Sequence, residues 1–167
     1  MTHTVETIDT PDGPFTAVAG QDGAVIASGW TASPEEALAR VRVQWRPDDV
    51  RTGTVAAMDA VRAYYEGEHD PVTAVPVDLH GTDGQLAGWE QLRRIKPGDP
   101  LTYTEFADAL GSPRAVRAAA SVCARNPVAL FVPCHRVLRA DGSLGGFAWG
   151  EDVKRSLLDR EAAARRH

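Results

Sequence analysis

The feature that most constrains this fold is an apolar run, residues 128–132, that leads directly into Pro133-Cys134-His135-Arg136-Val137. A short apolar run of this kind predicts a buried strand, and a proline ends its hydrogen-bonded ladder. We therefore expect Cys134 at the mouth of a strand. Cysteine also packs as a small core hydrophobe, but a core position between a proline and His135-Arg136 is unusual. The pattern favours a reactive thiol.

Charge is divided unevenly along the chain. Residues 1–81 carry 5 Lys and Arg against 13 Asp and Glu, a net −8, and residues 82–167 carry 13 against 10, a net +3, in a chain of net charge −5. Five arginines lie in a stretch without acids: Arg114, Arg117, Arg125, Arg136 and Arg139. This basic patch is compatible with phosphate contact, and the alternative is an ordinary solvated face.

Composition also limits the class of protein. The sequence has neither a signal-peptide pattern nor a long apolar span, so we expect a soluble, cytoplasmic protein without membrane partners. Its two cysteines, Cys123 and Cys134, form no Cys-x-x-Cys pair, so we expect reduced thiols and no metal site. No cofactor is expected.

The first 80 residues predict a small α+β scaffold. Apolar runs on either side of residues 20–23 predict an antiparallel hairpin. Ser33-Pro34 predicts a helix over about 34–44, a second helical stripe covers 58–67, and residues 75–79 predict an edge strand. We therefore assign residues 1–80 to an N-terminal antiparallel-sheet domain with helices, and residues 81–167 to a mostly helical C-terminal domain.

Two adjacent helix starts organise the C-terminal part. Thr102 and Glu105 fit a capping box, Gly111 ends that helix, and Ser112-Pro113 predicts the start of another over about 113–124. Two helices joined so tightly indicate a helix-turn-helix. The second helix separates a basic face from an apolar face, which carries Cys123. We expect Cys123 in the core and the basic face either on DNA or in solvent.

The last helix supplies a carboxylate for the thiol. Glu161 shares a helix face with Lys154, Leu157 and Leu158, so it should be buried and needs a partner, for which His135 is the candidate. A thiol attacks as thiolate, which an imidazole oriented by a carboxylate supplies. Cys134, His135 and Glu161 form such a set, which a Cys-His-Glu hydrolase or acyltransferase would also use.

The motif Pro133-Cys134-His135-Arg136-Val137 resembles the acceptor-cysteine signature of the O6-alkylguanine-DNA alkyltransferases, and similar patterns run from about residue 82 to 161. The resemblance implies bacterial-type DNA repair: an alkyl group moves irreversibly from O6-alkylguanine, or O4-alkylthymine, in double-stranded DNA to Cys134, after base flipping by a monomeric protein. It also implies that water links Cys134 to His135. It assigns Tyr103 as a catalytic proton donor beside Cys134, His135 and Glu161; Arg117, Arg114, Ala118, Ser121 and Thr102 to DNA; and Asn126, Val137, Phe147, Ala148 and Trp149 to the substrate pocket.

Several residues depart from the family pattern in the glycine-rich segment 141–150. Phe147 replaces a usual tyrosine, Ala148 a frequent serine and Trp149 a usual glycine. We expect Trp149 to narrow the pocket, so that methyl is accepted more readily than bulky alkyl groups. A second alternative is a non-catalytic sensor of alkylated DNA, against which the thiol of Cys134 argues, because sensor relatives carry tryptophan there.

Overall fold

The computed structural model describes residues 2–165, which form two compact units. One unit comprises the chain up to His80 together with Pro127–Phe131. The other comprises Gly81–Asn126 and the chain from Val132 onward. The chain changes unit after His80, returns to the first unit for Pro127–Phe131, and then continues in the second unit.

A four-stranded sheet with two helices forms the first unit. Its strands are β1 (Thr2–Thr10), β2 (Gly13–Ala19), β3 (Val25–Gly29) and β4 (Asp49–Thr52), in the order β3-β2-β1-β4, and its helices are α1 (Pro34–Leu38) and α2 (Met58–Tyr65). The predicted hairpin is present as the antiparallel pair β2–β3. The sheet is not wholly antiparallel, because β4 runs parallel to β1.

Burial of one sheet face explains these elements. Val5, Val18 and Ile26 on successive strands pack with Ala37 of α1 in one apolar cluster. Short β-branched and small side chains suit a half-buried pleated surface, which accounts for strands rather than helices in this part of the chain. β1 was not predicted, because its sequence mixes threonines and acids with single, separated apolar residues and lacks an apolar run.

Two predicted elements of this unit are shorter than expected. The helix predicted over 34–44 ends at Leu38, because the Arg46 guanidinium binds the carbonyls of Val41 and Ala39 and a 3-10 helix, Val43–Trp45, follows. The predicted edge strand at 75–79 makes only one bridge, Val25 to Val77. Pro76 has no N–H to extend that ladder.

The predicted strand over residues 128–132 is wrong. Leu130 adopts a φ of 76°, in the left-handed region, which turns the chain instead of extending it. One isolated parallel bridge joins Val128 to Ser28, and the Ser28 hydroxyl donates to the Ala129 carbonyl at 3.0 Å. Residues 128–131 of this run are buried because they pack in the first unit as a turn.

Four helices and a two-stranded sheet form the second unit. They are α3 (Asp83–Leu92), β5 (Leu101–Thr102), α4 (Tyr103–Ala109), α5 (Val116–Ala124), β6 (Val137–Leu138) and α6 (Glu151–Arg165). β5 and β6 pair in parallel, with Leu101 opposite Val137. Asp83 is the first residue of α3, and Thr82 and Gln85 form a capping box at the start of that helix. The α+β class predicted from the sequence is confirmed.

The helix-turn-helix is present with one correction. Thr102 caps α4, and its hydroxyl and the Glu105 carboxylate form the predicted capping box. The second helix does not begin at Pro113, because residues 112–115 form a separate turn and Ala115 has non-helical dihedrals, φ −86° and ψ 41°. Consequently α5 starts at Val116, and Arg114 lies in the turn before the helix instead of on its face.

No helix within residues 2–165 has the length and hydropathy needed to cross a membrane. In the same part of the chain, no group of three histidine, cysteine, aspartate or glutamate side chains is arranged to hold a metal ion.

Candidate active site

Cys134 lies in a tight 3-10 turn, Cys134–Arg136, that starts directly after Pro133. The Cys134 amide donates to the Val132 carbonyl at 2.9 Å, and the Arg136 amide donates to the Pro133 carbonyl at 3.0 Å. A 3-10 helix has three residues per turn, so successive side chains point in directions about 120° apart. This replaces the opposite orientation that a strand would have given Cys134 and His135.

His135, the candidate partner of Glu161, is in contact with it. The His135 Nε2 atom lies 2.6 Å from Glu161 Oε2, and both side chains are 1% exposed. Leu157 is fully buried on the same face of α6, and Leu158 is partly buried. The contact fixes the imidazole with one nitrogen on a carboxylate.

Arg136 is the second partner of Glu161, and sequence reasoning missed it. Its Nε donates to Glu161 Oε1 at 2.8 Å, and its Nη1 donates to the Ile95 carbonyl at 2.8 Å. Arg136 is 1% exposed, so it cannot belong to the basic surface patch in which the sequence placed it. An arginine directly after the cysteine-histidine pair was the available signal, but an isolated arginine does not indicate burial.

Charge balance within this cluster determines its protonation. Burial alone would raise the pKa of Glu161, but His135 and Arg136 hold the pKa of its carboxyl below the usual range. Burial lowers the pKa of His135, and Arg136 and Lys154 lower it further against the opposing effect of Glu161. A neutral His135 cannot supply a charge to Glu161, so the permanent cation Arg136 is the group that keeps the carboxylate ionised.

The free nitrogen of His135 faces away from Glu161. Because the Glu161 carboxylate accepts a hydrogen bond from His135 Nε2, a neutral ring carries its proton on Nε2 and a lone pair on Nδ1. Among the described residues, the buried Nδ1 atom has no hydrogen-bond partner. The ring therefore has one nitrogen available as a base.

Asn126 braces the turn that carries the thiol. Its side-chain Nδ2 donates to the Val132 carbonyl at 2.7 Å, and its side chain is buried. The Val132 carbonyl thus accepts from both Asn126 and the Cys134 amide. Since Asn126 directly follows α5 and its cap, it ties the end of the second helix of the helix-turn-helix to the cysteine.

Tyr103 is the first residue of α4 and lies beside the glycine-rich segment. A Cβ on Gly145 would stand 3.4 Å from Tyr103 Cε2 and 3.6 Å from its hydroxyl oxygen, which is ordinary contact, and the φ of 71° at Gly145 is what favours glycine there. Burial raises the pKa of Tyr103 to about 12, with a further increase from the nearby thiols Cys123 and Cys134. The phenol is therefore protonated at neutral pH and is available as a donor.

Lys154 is a second buried cation that sequence reasoning did not place in the site. Its Nζ donates to the Val137 carbonyl at 2.8 Å and to the Gly146 carbonyl at 3.4 Å. Burial lowers its pKa, although the thiols Cys134 and Cys123 raise it. Lys154 therefore joins α6, β6 and the glycine-rich segment at one point close to Cys134.

Other residues predicted for the site divide by exposure. Val137 is fully buried, Phe147 and Trp149 are partly buried, and Ala148 is exposed. Cys123 is buried, as expected for a core residue, and burial raises the pKa of its thiol above the usual range. Cys123 is thus a poor nucleophile.

The predicted nucleic-acid face is exposed. Arg117, Ala118 and Ser121 on α5 and Arg114 in the preceding turn are all exposed, while Thr102 is partly buried as the cap of α4. Arg125 and Arg139 are also exposed. The surface of the helix-turn-helix therefore carries arginines beside a small side chain, Ala118, that lets a flat or curved surface approach closely.

Comparison with known proteins identifies relatives of both units. The sequence model of the family described as "6-O-methylguanine DNA methyltransferase, DNA binding domain" matches residues 83–163. The chain is 39% identical over 155 residues to the "Methylated-DNA--protein-cysteine methyltransferase" of Mycobacterium bovis, covering 93% of this chain and 90% of that protein. It is 46% identical over 95 residues to the "Bifunctional transcriptional activator/DNA repair enzyme Ada" of Escherichia coli, covering 57% of this chain and only 27% of Ada.

Solved structures agree with these relatives. The crystal structure of the O6-methylguanine methyltransferase of Mycobacterium tuberculosis has a TM-score of 0.75 at 35% identity, covering 97% of this chain and 94% of that chain. The structure of Mycobacterium tuberculosis OGT in complex with DNA has a TM-score of 0.76 at 34% identity, covering 98% and 94%. The similarity therefore extends over nearly the whole chain.

Proposed function

Because this chain belongs to the O6-alkylguanine-DNA alkyltransferases, the methylated-DNA--protein-cysteine methyltransferases, we propose that Cys134 accepts the alkyl group in its reaction. The chain is a DNA-binding repair protein that acts by alkyl transfer. The observation that carries the assignment of Cys134 is the 2.6 Å contact of the adjacent His135 with buried Glu161. It supplies the base that an attacking thiol requires.

The reaction is an in-line displacement at carbon. The thiol proton of Cys134 passes to His135 Nδ1, through a bridging water as the family resemblance implies. The thiolate sulfur then forms a bond to the alkyl carbon while the bond from that carbon to guanine O6 breaks. The electron pair of the broken bond stays on guanine, and a proton from Tyr103 toward guanine N3 neutralises the leaving anion.

Turnover ends with this step. The product on Cys134 is a thioether, in which the thiolate is too poor a leaving group for His135 or Glu161 to displace it. One molecule of protein therefore repairs one lesion. No cofactor takes part in the proposed reaction.

Substrate access requires extrusion of the damaged base, since the alkyl carbon is out of reach inside a duplex. We assign Arg117 to the space that the flipped nucleotide leaves in the base stack, and Arg114, Ala118, Ser121 and Thr102 to the surrounding DNA backbone and minor groove. The minor groove carries little sequence information, which suits a repair protein. Asn126, Val137, Phe147, Ala148 and Trp149 then surround the extruded base.

Partner and compartment follow from the substrate. The proposed partner is duplex DNA containing O6-alkylguanine, bound by a single copy of the chain. Because the DNA of a bacterial cell lies in its cytoplasm, we place the protein in the bacterial cytoplasm. O4-alkylthymine is a second candidate lesion, since it offers an alkyl carbon on the corresponding exocyclic oxygen.

Intact mass measurement tests the assignment of the acceptor. The protein is mixed with a duplex oligonucleotide containing one O6-methylguanine, and peptide mapping locates any added methylene mass. We expect stoichiometric addition at Cys134, none in Cys134→Ala, and full addition in the matched thiol control Cys123→Ser. DNA binding without modification of Cys134 would favour the sensor alternative, and turnover of a thioester without DNA would favour the hydrolase.

A further inference from the structure

Arg136 is a buried cation whose guanidinium nitrogens are all engaged inside the protein. Its Nε and Nη2 donate to the two oxygens of Glu161, at 2.8 and 3.3 Å, and its Nη1 donates to the Ile95 carbonyl at 2.8 Å. With 1% of its side chain exposed, Arg136 is not available for DNA. Its role must therefore be sought inside the site.

The same carboxylate binds His135. Glu161 Oε2 accepts from Arg136 Nη2 and lies 2.6 Å from His135 Nε2. Three charged groups face the imidazole: Glu161 and Lys154 from α6, and Arg136 from the 3-10 turn. A carboxylate alone beside a histidine favours the imidazolium, and cations oppose it.

We propose that Arg136 is a positioning residue that balances the charge of Glu161, so that His135 remains neutral with its proton on Nε2 and its lone pair on Nδ1. This inference rests on the proposed function only in that His135 takes the proton of Cys134. An imidazolium carries protons on both nitrogens and cannot accept another. Arg136 thus determines whether the base is available at the pH of the cell.

Geometry supports this role over simple packing. The fork of an arginine engages both oxygens of one carboxylate, which fixes the carboxylate plane as well as its charge. Glu161 can therefore accept from Nε2 of His135 without taking up a proton. The lowered pKa of His135, caused first by burial and then aided by Arg136 and Lys154, is in accord with a neutral ring.

The test compares Arg136→Gln, which removes the charge, with Arg136→Lys, which keeps it without the fork. Single-turnover transfer from an O6-methylguanine duplex is measured from about pH 5 to about pH 9, across the ordinary histidine pKa of about 6.5. Loss of the Arg136 charge should raise the pKa of His135 in Arg136→Gln. We therefore expect the transfer rate of Arg136→Gln, divided by that of the unaltered protein, to fall as the pH is lowered, by about tenfold at one pH unit below the raised pKa. The ratio for Arg136→Lys should not depend on pH.

A matched control is Arg94→Gln, which removes an arginine from an exposed pair with Glu90 in the same unit. Its rate should follow that of the unaltered protein at every pH. A purely structural role for Arg136 predicts the same rate ratio at all pH values for both Arg136 variants. That result would overturn the inference.

Nitrogen NMR shifts of the His135 ring give a readout that needs neither transfer nor a variant. In the unaltered protein we expect the neutral Nε2–H tautomer of His135 near pH 6. An imidazolium at that pH would overturn the proposal, and this measurement can be made even if Arg136→Gln fails to fold. Failure of the proposed function is separate, because it appears as an unmodified Cys134 in the unaltered protein while the ring still reports its tautomer.

Discussion

Lys154 and Glu161 place opposite charges on one buried face of α6, and each is satisfied in a different way. Glu161 is held by two side chains, His135 and Arg136. Lys154 is held by two backbone carbonyls, those of Val137 and Gly146. A lysine bound to backbone carbonyls acts as a clip, that is, a cross-link by hydrogen bonds between α6, β6 and the glycine-rich segment. It fixes the spacing of these segments without requiring any particular side chain on them.

Removal of this clip should slow transfer while DNA binding stays unchanged. In Lys154→Met the side chain keeps a similar length but leaves the Val137 and Gly146 carbonyls without its donor. Each unsatisfied buried group costs roughly 1–3 kcal/mol, so we expect a lower unfolding free energy and a slower methyl transfer. Urea unfolding and single-turnover kinetics measure the two effects, with Arg155→Met, an exposed position on α6, as the control. An unchanged rate of methyl transfer in Lys154→Met would show that Lys154 does not contribute to the reaction.

Trp149 should restrict the size of the transferred group. Its indole is partly buried at the end of the glycine-rich segment, which the proposed function places around the extruded base, so we expect this bulky side chain to reduce the room available to an alkyl group. We expect the unaltered protein to transfer methyl faster than benzyl, and Trp149→Gly to raise the benzyl rate relative to the methyl rate. Competition between O6-methylguanine and O6-benzylguanine duplexes measures that ratio. Equal rates in the unaltered protein would contradict the prediction.

Helical spacing was enough to predict that Glu161 is buried and to make His135 a candidate partner, but it did not establish that the two side chains meet. It was not enough for Arg136 or Lys154. Charged residues are almost never fully buried unless paired, so a sequence offers no reason to bury two more cations without knowledge of what they contact. Backbone carbonyls such as those of Val137, Gly146 and Ile95 leave no mark in the sequence.

At the scale of elements, the contact between α3 and α5 fixes the helix that carries the exposed Arg117. Trp89 of α3 donates from its indole nitrogen to the Val122 carbonyl at 3.0 Å. One turn of α3 comes so close to α5 that a Cβ on Gly88 would lie 2.6 Å from Val122 Cγ1. Gly88 is therefore required by packing, although glycine disfavours a helix interior.

Gly88→Ala should be destabilising despite the better helix propensity of alanine. The gain of about 1 kcal/mol in propensity is set against an overpacking cost of roughly 1–3 kcal/mol. We expect Val122→Ala to restore space, so that the double variant Gly88→Ala/Val122→Ala loses less stability than the two single losses added together. Urea unfolding of the four proteins measures this coupling. Additive losses would mean that the two helices are less closely packed than the structure has them.

Elements with local start signals were predicted well, and those set by tertiary contact were not. The capping box of Thr102 and the hairpin β2–β3 follow from a few neighbouring residues. The turn at Leu130 and the late start of α5 at Val116 depend on backbone angles that the sequence does not specify. An apolar run reveals burial but does not distinguish a strand from a buried turn.

For the whole molecule, buried ionisable groups predict a loss of stability in acid. The pKa of Glu161 is lower in the folded chain than its ordinary value, and so is that of His135. As the pH falls below about 6.5 for histidine and then about 4.3 for glutamate, the unfolded chain therefore binds protons that the folded chain excludes. We expect the melting temperature to fall over this range.

Thermal melts from about pH 7 to about pH 2 test this linkage over both ranges. The fall should be smaller in Glu161→Gln, which has no carboxyl group to titrate, than in the unaltered protein. The exposed control Glu90→Gln should follow the unaltered curve. A melting temperature that rises in acid would contradict the assigned directions.

The separation of charge between the two parts of the chain predicts how salt affects DNA binding. Each phosphate contact contributes about −0.9 to the slope of log affinity against log salt. Arg117→Ala should reduce that slope by about one unit, whereas Arg62→Ala, in the acidic N-terminal unit, should leave it unchanged. Fluorescence anisotropy over a salt series measures both. Equal slopes would remove Arg117 from the DNA surface.

The turn Pro127–Phe131 belongs to the first unit although it lies between two segments of the second. A fragment that begins at Gly81 therefore carries five residues whose packing partners it lacks, including Phe131, which meets Phe15 edge to face at 6.1 Å, and Val128, which bridges Ser28. In such a fragment these apolar side chains would be open to other molecules immediately before Cys134. Separate expression of the C-terminal part thus invites aggregation, and truncation is a poor route to a minimal enzyme.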